Sequence, residues 1–141
     1  MQIGEKSFAI SCGDPAGIGP EIISKAWLER GAAKLSPFFV VGNYADFSGL
    51  GDVPVTKISD PSEAASHFET SLPVLHTHEA EAATPGSPTL DGAQCALHSL
   101  EIACGLTKSG DADAVITAPV SKSQLYKVGF RYPGQTEFVS E

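Results

Sequence analysis

Two stretches of this chain carry residue types suited to holding a small ligand. The first is Cys12-Gly13-Asp14-Pro15-Ala16-Gly17-Ile18-Gly19-Pro20-Glu21-Ile22. The second is Thr117-Ala118-Pro119-Val120-Ser121-Lys122, roughly a hundred residues on. Each follows an apolar run and precedes a helical pattern, and open α/β sheets bind ligands just beyond such strand ends. Asp14 can orient a ligand hydroxyl, or it can close the turn by bonding its own backbone. Lys122 can bind a phosphate or carboxylate, or stand as a solvated lysine at a helix start. Thr117 and Ser121 offer hydroxyls beside it, and Ser121 equally suits a helix cap. Cys12 could be a nucleophile, but no flanking residue offers an activating base. Two turns of this composition point to a small-molecule enzyme.

The first turn has a local logic. Ser7-Phe8-Ala9-Ile10-Ser11-Cys12 suits a short buried strand. Gly13, Gly17 and Gly19 let the backbone bend sharply and let a ligand approach. Pro20 fits the first helical position, and Glu21 suits the positive end of the helix. Ile22, Ile23, Ala26 and Trp27 form the expected inner stripe, with Gly31 as the stop. Two familiar nucleotide motifs are absent. A P-loop needs Gly-Lys followed by Ser or Thr, and here Gly19 precedes Pro20. The glycines are spaced G-x-x-x-G-x-G rather than G-x-G-x-x-G. Short-chain dehydrogenases share that spacing but need a Tyr and a Lys four residues apart, and Tyr126 has Phe130 in that place.

Gly-Asp-Pro-Ala-Gly-Ile-Gly-Pro-Glu resembles the opening signature of the 4-hydroxythreonine-4-phosphate dehydrogenase family of vitamin B6 biosynthesis. Thr-Ala-Pro-Val-x-Lys resembles that family's second motif. Pro133-Gly134-Gln135-Thr136-Glu137-Phe138 resembles its third, usually Gly-His-Thr-Glu-Phe. Isopropylmalate dehydrogenases carry a shorter Gly-Asp-Gly-Ile-Gly-Pro-Glu opening, so the inserted Pro-Ala and the later motifs favour the first family. The resemblance implies a three-layer α/β/α fold with a mostly parallel sheet, like isocitrate and isopropylmalate dehydrogenases. Residues 1–141 would be the N-terminal portion of a two-domain enzyme, with the metal-binding remainder absent. A new helix is expected to start near Glu141.

The resemblance further implies NAD-dependent oxidation of 4-phosphooxy-L-threonine followed by decarboxylation, in pyridoxal phosphate biosynthesis. NADP is a possible substitute for NAD. A divalent metal and a homodimer belong to the complete enzyme. By carry-over Thr136 contacts the substrate, and Gln135 stands where the family has a substrate-contacting His. Gln can hydrogen-bond but cannot carry a proton charge. Dehydrogenases of phosphorylated threonate or erythronate are therefore an alternative, as is a non-catalytic small-anion-binding domain. The fragment alone is expected to be inactive.

Composition sets outer bounds. A chain of 141 residues with 42% hydrophobic and 18% charged residues suits one globular domain with a sizeable core. A net charge of −8 disfavours nucleic acid and anionic membrane as partners. No apolar run is long enough to span a bilayer. Met1 to Ser7 shows no signal-peptide pattern. Cys12, Cys95 and Cys104 lack Cys-x-x-Cys spacing, which fits reduced thiols in the cytoplasm. Cys95 and Cys104 read as core residues of one helix.

The remaining chain alternates strand and helix signals. Phe38 to Gly42 reads as a buried strand, with Asn43 capping a helix through Leu50. Val53 to Ile58 carries a proline and reads as an edge strand. Asp60-Pro61-Ser62-Glu63 has the pattern of a capping box. Leu72 to His76 is a strand, and His78 to Leu90 a surface excursion. A helix spans about Asp91 to Ser109, with Ala93, Leu97, Leu100 and Cys104 inward. Asp113 to Thr117 is the next strand, and Ser121 to Val128 the next helix. This alternation predicts a mostly parallel sheet covered on both faces. His76 and His78 could form half a metal site or a solvated strand end. His67 and His98 read as surface residues. None of the four histidines matches a family metal ligand.

Overall fold

The computed structural model of the chain describes residues 7–132 and 134–140, with residues 136 and 137 described in backbone alone. Pro133 and the expected signal-free stretch Met1 to Lys6 lie outside the described residues. Five strands form one parallel sheet: β1 (Phe8–Ser11), β2 (Phe38–Gly42), β3 (Val55–Ile58), β4 (Leu72–His76) and β5 (Val115–Thr117). Their order is β3-β4-β2-β1-β5. The helices are α1 (Gly19–Leu28), α2 (Ala45–Ser48), α3 (Ala64–His67), α4 (Leu90–Ser109), α5 (Lys122–Lys127) and α6 (Gln135–Ser140). The expected α/β class is the one observed.

Strand composition explains the layering. All five residues of β2 are buried, the continuous apolar run of a parallel strand covered on both faces. On one face Ile10, Phe38, Val40 and Val74 pack with Ile23 and Trp27 of α1. On the other, Ala9, Phe39, Val41 and Leu75 pack with Ala103 of α4. A third cluster joins Ala96 and Leu100 of α4 to Leu125 and Phe130. Each large side chain fully buried here contributes about 1.5–3 kcal/mol.

α4 is the long brace of the molecule. Thr89 caps it by accepting a bond from the Gly92 amide at 2.9 Å, and Gly110 ends it at φ 87°. Asp60 and Glu63 form the expected capping box, on a 3₁₀ turn at Pro61–Glu63. β3 lies at the sheet edge, as expected from Pro54, which stands just before it.

Several local expectations are corrected. α1 ends at Leu28, short of Gly31, and the chain reverses through Lys34 at φ 54°. Pro20 occupies its second position, because the helix begins at Gly19. Ile22 is exposed while Ile23 and Trp27 are buried, so the inner stripe is narrower than the apolar residues imply. Leu97 and Cys104 are only half-buried, because α4 turns that side toward α5. Ser121 precedes α5 without a side-chain capping bond; its Oγ lies 3.1 Å from Ser123 Oγ. A final helix begins at Gln135 rather than near Glu141.

Candidate ligand site between the two loops

Register places the two motif loops together. Ser11 at the end of β1 is paired with Thr117 at the end of β5, so both loops leave the sheet at one level. The Ala118 amide donates to Ser11 O at 3.2 Å, and the Asp14 amide donates to Pro119 O at 3.1 Å. Gly13 is required at this contact. It adopts φ +71°, and a Cβ there would lie 2.3 Å from Pro119 O. The loops therefore pack backbone to backbone, with no room for a side chain between them.

Asp14 is buried and closes its own turn. Its Oδ1 accepts from the Ala16 amide at 2.9 Å, and its carbonyl accepts from the Gly17 amide at 2.9 Å. The same residue lines an open groove of about 320 Å³ with Ala16, Gly17, Pro119, Val120 and Ser121. Of the two sequence roles for Asp14, the structure shows turn closure, and the residue also borders the groove. The groove lies at the N-terminal end of α1, a helix end that favours an anion.

The third motif reaches the second. Gln135 Nε2 donates to Ala118 O at 3.3 Å, and Gln135 Oε1 is buried without a partner among the described residues. Thr136 sits in α6, but its side chain lies outside the described residues. Lys122 opens α5 and is exposed, beyond the residues that line the groove. The structure thus unites Asp14, Ser121 and the second loop at the groove and brings Gln135 to that loop's backbone. Lys122 remains on the rim.

Ser99 was not singled out by sequence. It is fully buried in α4, where its hydroxyl accepts from the Cys12 amide at 2.8 Å and donates to Val41 O at 2.6 Å. One hydroxyl ties α4 to the ends of β1 and β2 and fixes where the first loop starts. Its signal is a polar residue on a stripe otherwise made of Cys95, Ala96 and Ala103.

The excursion before α4 is also anchored. Asn43 Nδ2 donates to Ala80 O at 2.9 Å, while its Oδ1 accepts from the Ala45 amide at 3.2 Å. Asn43 therefore serves α2 and the excursion together, where sequence shows only a cap. Asp46 accepts from the Ala83 amide at 2.8 Å. Burial pushes the Asp46 carboxyl above its ordinary value, against the opposing pull of the Ala83 bond and His78. The Gly86 amide donates to Ala16 O at 2.8 Å, so the excursion lies across the first loop.

The histidines do not form a metal half-site. His76 accepts from the Tyr44 amide through Nδ1 at 3.0 Å and faces Glu79 through Nε2 at 2.9 Å. His78 instead faces Asp91, at 3.0 Å. Neither ring is a solvated strand end, since both are partly buried and bonded. Among the described residues no three His, Cys, Asp or Glu side chains are placed to hold a metal ion. Among them no helix is long and apolar enough to cross a membrane.

Comparison with known proteins gives this geometry a lineage. The chain is 48% identical to the 4-hydroxythreonine-4-phosphate dehydrogenase of Zymomonas mobilis over 96% of its length and 40% of that protein. It is 45% identical to that of Erythrobacter litoralis, over 96% of this chain and 42% of the relative. The solved enzyme of that name from Burkholderia phymatum matches with a TM-score of 0.85 at 25% identity, over 96% of this chain and 42% of that one. The chain thus spans about two-fifths of the length of these relatives. The family model described as pyridoxal phosphate biosynthetic protein PdxA matches residues 23–141, and the chain belongs to that family.

Proposed function

We propose that this chain supplies the N-terminal half of the substrate site of an NAD-dependent 4-phosphooxy-L-threonine dehydrogenase in pyridoxal phosphate biosynthesis. One observation carries the reading. Three separated motifs converge: the Asp14 amide bonds Pro119 O, and Gln135 bonds Ala118 O. In this reading the α1 end and Lys122 favour the phosphorylated, anionic part of the substrate. Asp14 and Gln135 orient its hydroxyl and polar groups. Positioning of this kind is the protein's share of cofactor chemistry. NAD, or NADP in its place, supplies the hydride-accepting chemistry when bound.

Among the described residues no three metal-ligating side chains are placed together, so in this reading the ligands of a divalent metal come from the rest of the enzyme. The exposed outer face of β5 supports completion of the site by protein beyond residues 1–141, including a homodimer partner. The expected setting is the cytoplasm.

The test is NADH formation from 4-phosphooxy-L-threonine with a divalent metal. A protein carrying these residues together with the rest of the relatives' length should turn over, and the 141-residue chain alone should not. Turnover of phosphorylated threonate or erythronate instead would favour the second reading, which rests on Gln135 in place of the family's His. No turnover by the longer protein with any of these would overturn both and leave an anion-binding role.

A further inference from the structure

Cys12 and Cys95 are remote in sequence and adjacent in space. Their Sγ atoms lie 3.9 Å apart, one at the end of β1 and one inside α4. Both are free and buried, whereas Cys104 on the same helix is only half-buried. Cys12 Sγ also points at Gly13 O, at 3.3 Å. A disulfide has an S–S length of ~2.05 Å, so the sulfurs need to approach by roughly 1.9 Å. Cys95 is held in the second turn of a 20-residue helix. Cys12 begins the loop that carries Asp14, so the movement falls on that loop.

A pocket reaches one member of the pair, Cys95. Cys95 lines a pocket of about 210 Å³ that lies beneath the excursion, with Asn43, Asp46, His78, Thr89 and Asp91 around it. The pocket suits a small polar oxidant and is walled by hydrogen-bonding groups. Contact with the Cys12 thiol and burial push Cys95 well above the ordinary thiol range. Cys95 therefore rests as a thiol, and its oxidation is slow.

We propose that Cys12 and Cys95 form a redox-sensitive dithiol that a small hydroperoxide, entering through this pocket, converts to a disulfide. Cys95 sulfur attacks one peroxide oxygen and the O–O bond breaks, leaving a sulfenic acid and one water or alcohol. Cys12 sulfur then attacks the sulfenic sulfur. The S–S bond forms, the S–O bond breaks, and the oxygen leaves as water with the thiol protons. The peroxide is reduced by two electrons and the two thiols are oxidised. The bond fastens the first loop to α4 and displaces Asp14 from its present place. This inference rests on thiol geometry alone and stands apart from the assignment of the substrate.

The test uses the full 141-residue chain carrying Cys104→Ser, so that only the two facing thiols remain. Hydrogen peroxide should remove both free thiols and lower the intact mass by two hydrogens. Peptide mapping should join the peptide of Cys12 to that of Cys95, and dithiothreitol should restore both thiols. Closing so long a loop should also raise the thermal midpoint by several degrees. Cys12→Ser and Cys95→Ser should each abolish the mass loss. Oxygen adducts without cross-linking, a disulfide between molecules, or unreacted thiols at a peroxide dose that oxidises Cys104 in the parent chain would overturn the proposal.

Discussion

The two sides of the sheet are built to different standards. Around β2 and β4, strands are enclosed on both faces, and Phe39, Val40, Val41, Leu72 and Val74 have no exposed surface. Around β5, Ile116 is 46% exposed and fronts an apolar groove of about 340 Å³ beside Phe8, Ile22, Ala26 and Leu35. All three motifs converge at the β1–β5 side, where Gln135 reaches the second loop. Enclosed packing is thus concentrated on one side of the molecule and the three sequence motifs on the other. Residues freed from core packing are the ones available to meet a ligand or further protein.

The largest expected effect tests that division directly. Phe39→Ala should cost about 3–5 kcal/mol of unfolding free energy. Ile116→Thr, on the exposed side, should change it by less than about 0.5 kcal/mol. Paired denaturant curves read both, and similar losses would erase the distinction.

The loop contact comes next. Gly13→Ala meets both a left-handed φ and Pro119 O, and should cost about 2–4 kcal/mol. Gly129 has φ +98° but open space around its Cβ. Gly129→Ala should therefore cost only about 1–2 kcal/mol, the conformational part alone. Equal costs would mean that the two loops are not in contact.

Ser99→Ala joins the two sides. It leaves the Cys12 amide without its acceptor in a buried place, a cost of about 1–3 kcal/mol. Amide exchange should quicken at Cys12 more than at Val74 in β4. Uniform quickening would assign Ser99 to general packing rather than to holding the first loop.

The smallest effect is electrostatic. Because burial raises Asp46 above 3.8, its ionised form weighs against folding above that raised value. The penalty fades as pH falls through it toward 3.8. Asp46→Asn keeps an oxygen for the Ala83 amide and removes the charge. It should raise the thermal midpoint at pH 7, with the gain shrinking toward pH 4. A gain that grows at acid pH would reverse the assignment.

Much of this organisation was legible in the residues. The apolar runs of β1, β2 and β4 read directly, and the Asp60–Glu63 capping box is a local signal with one outcome. What escaped depends on distance in sequence. Ser99, Asn43 and Asp46 act on partners 37 to 87 residues away, and a polar residue on an apolar stripe or after a strand does not name the partner it meets. The Ile22 error has the same root. A helix stripe shows which side chains are apolar, but α1 meets the sheet through Ile23 and Trp27 and leaves Ile22 on the groove. The motif singles out Gln135, while its bond to Ala118 O required the fold.

In the proposed function the Gly13–Gly19 loop and the Ala118–Ser121 loop form one anion-accepting site. Amide chemical shifts of the 141-residue chain, followed during titration with 4-phosphooxy-L-threonine, test it most directly. Saturable shifts are expected at Asp14, Gly17, Ile18 and Ser121, with β3 and β4 unmoved. Shifts centred on Asn43, His78 and Asp91, or none at either loop, would contradict it.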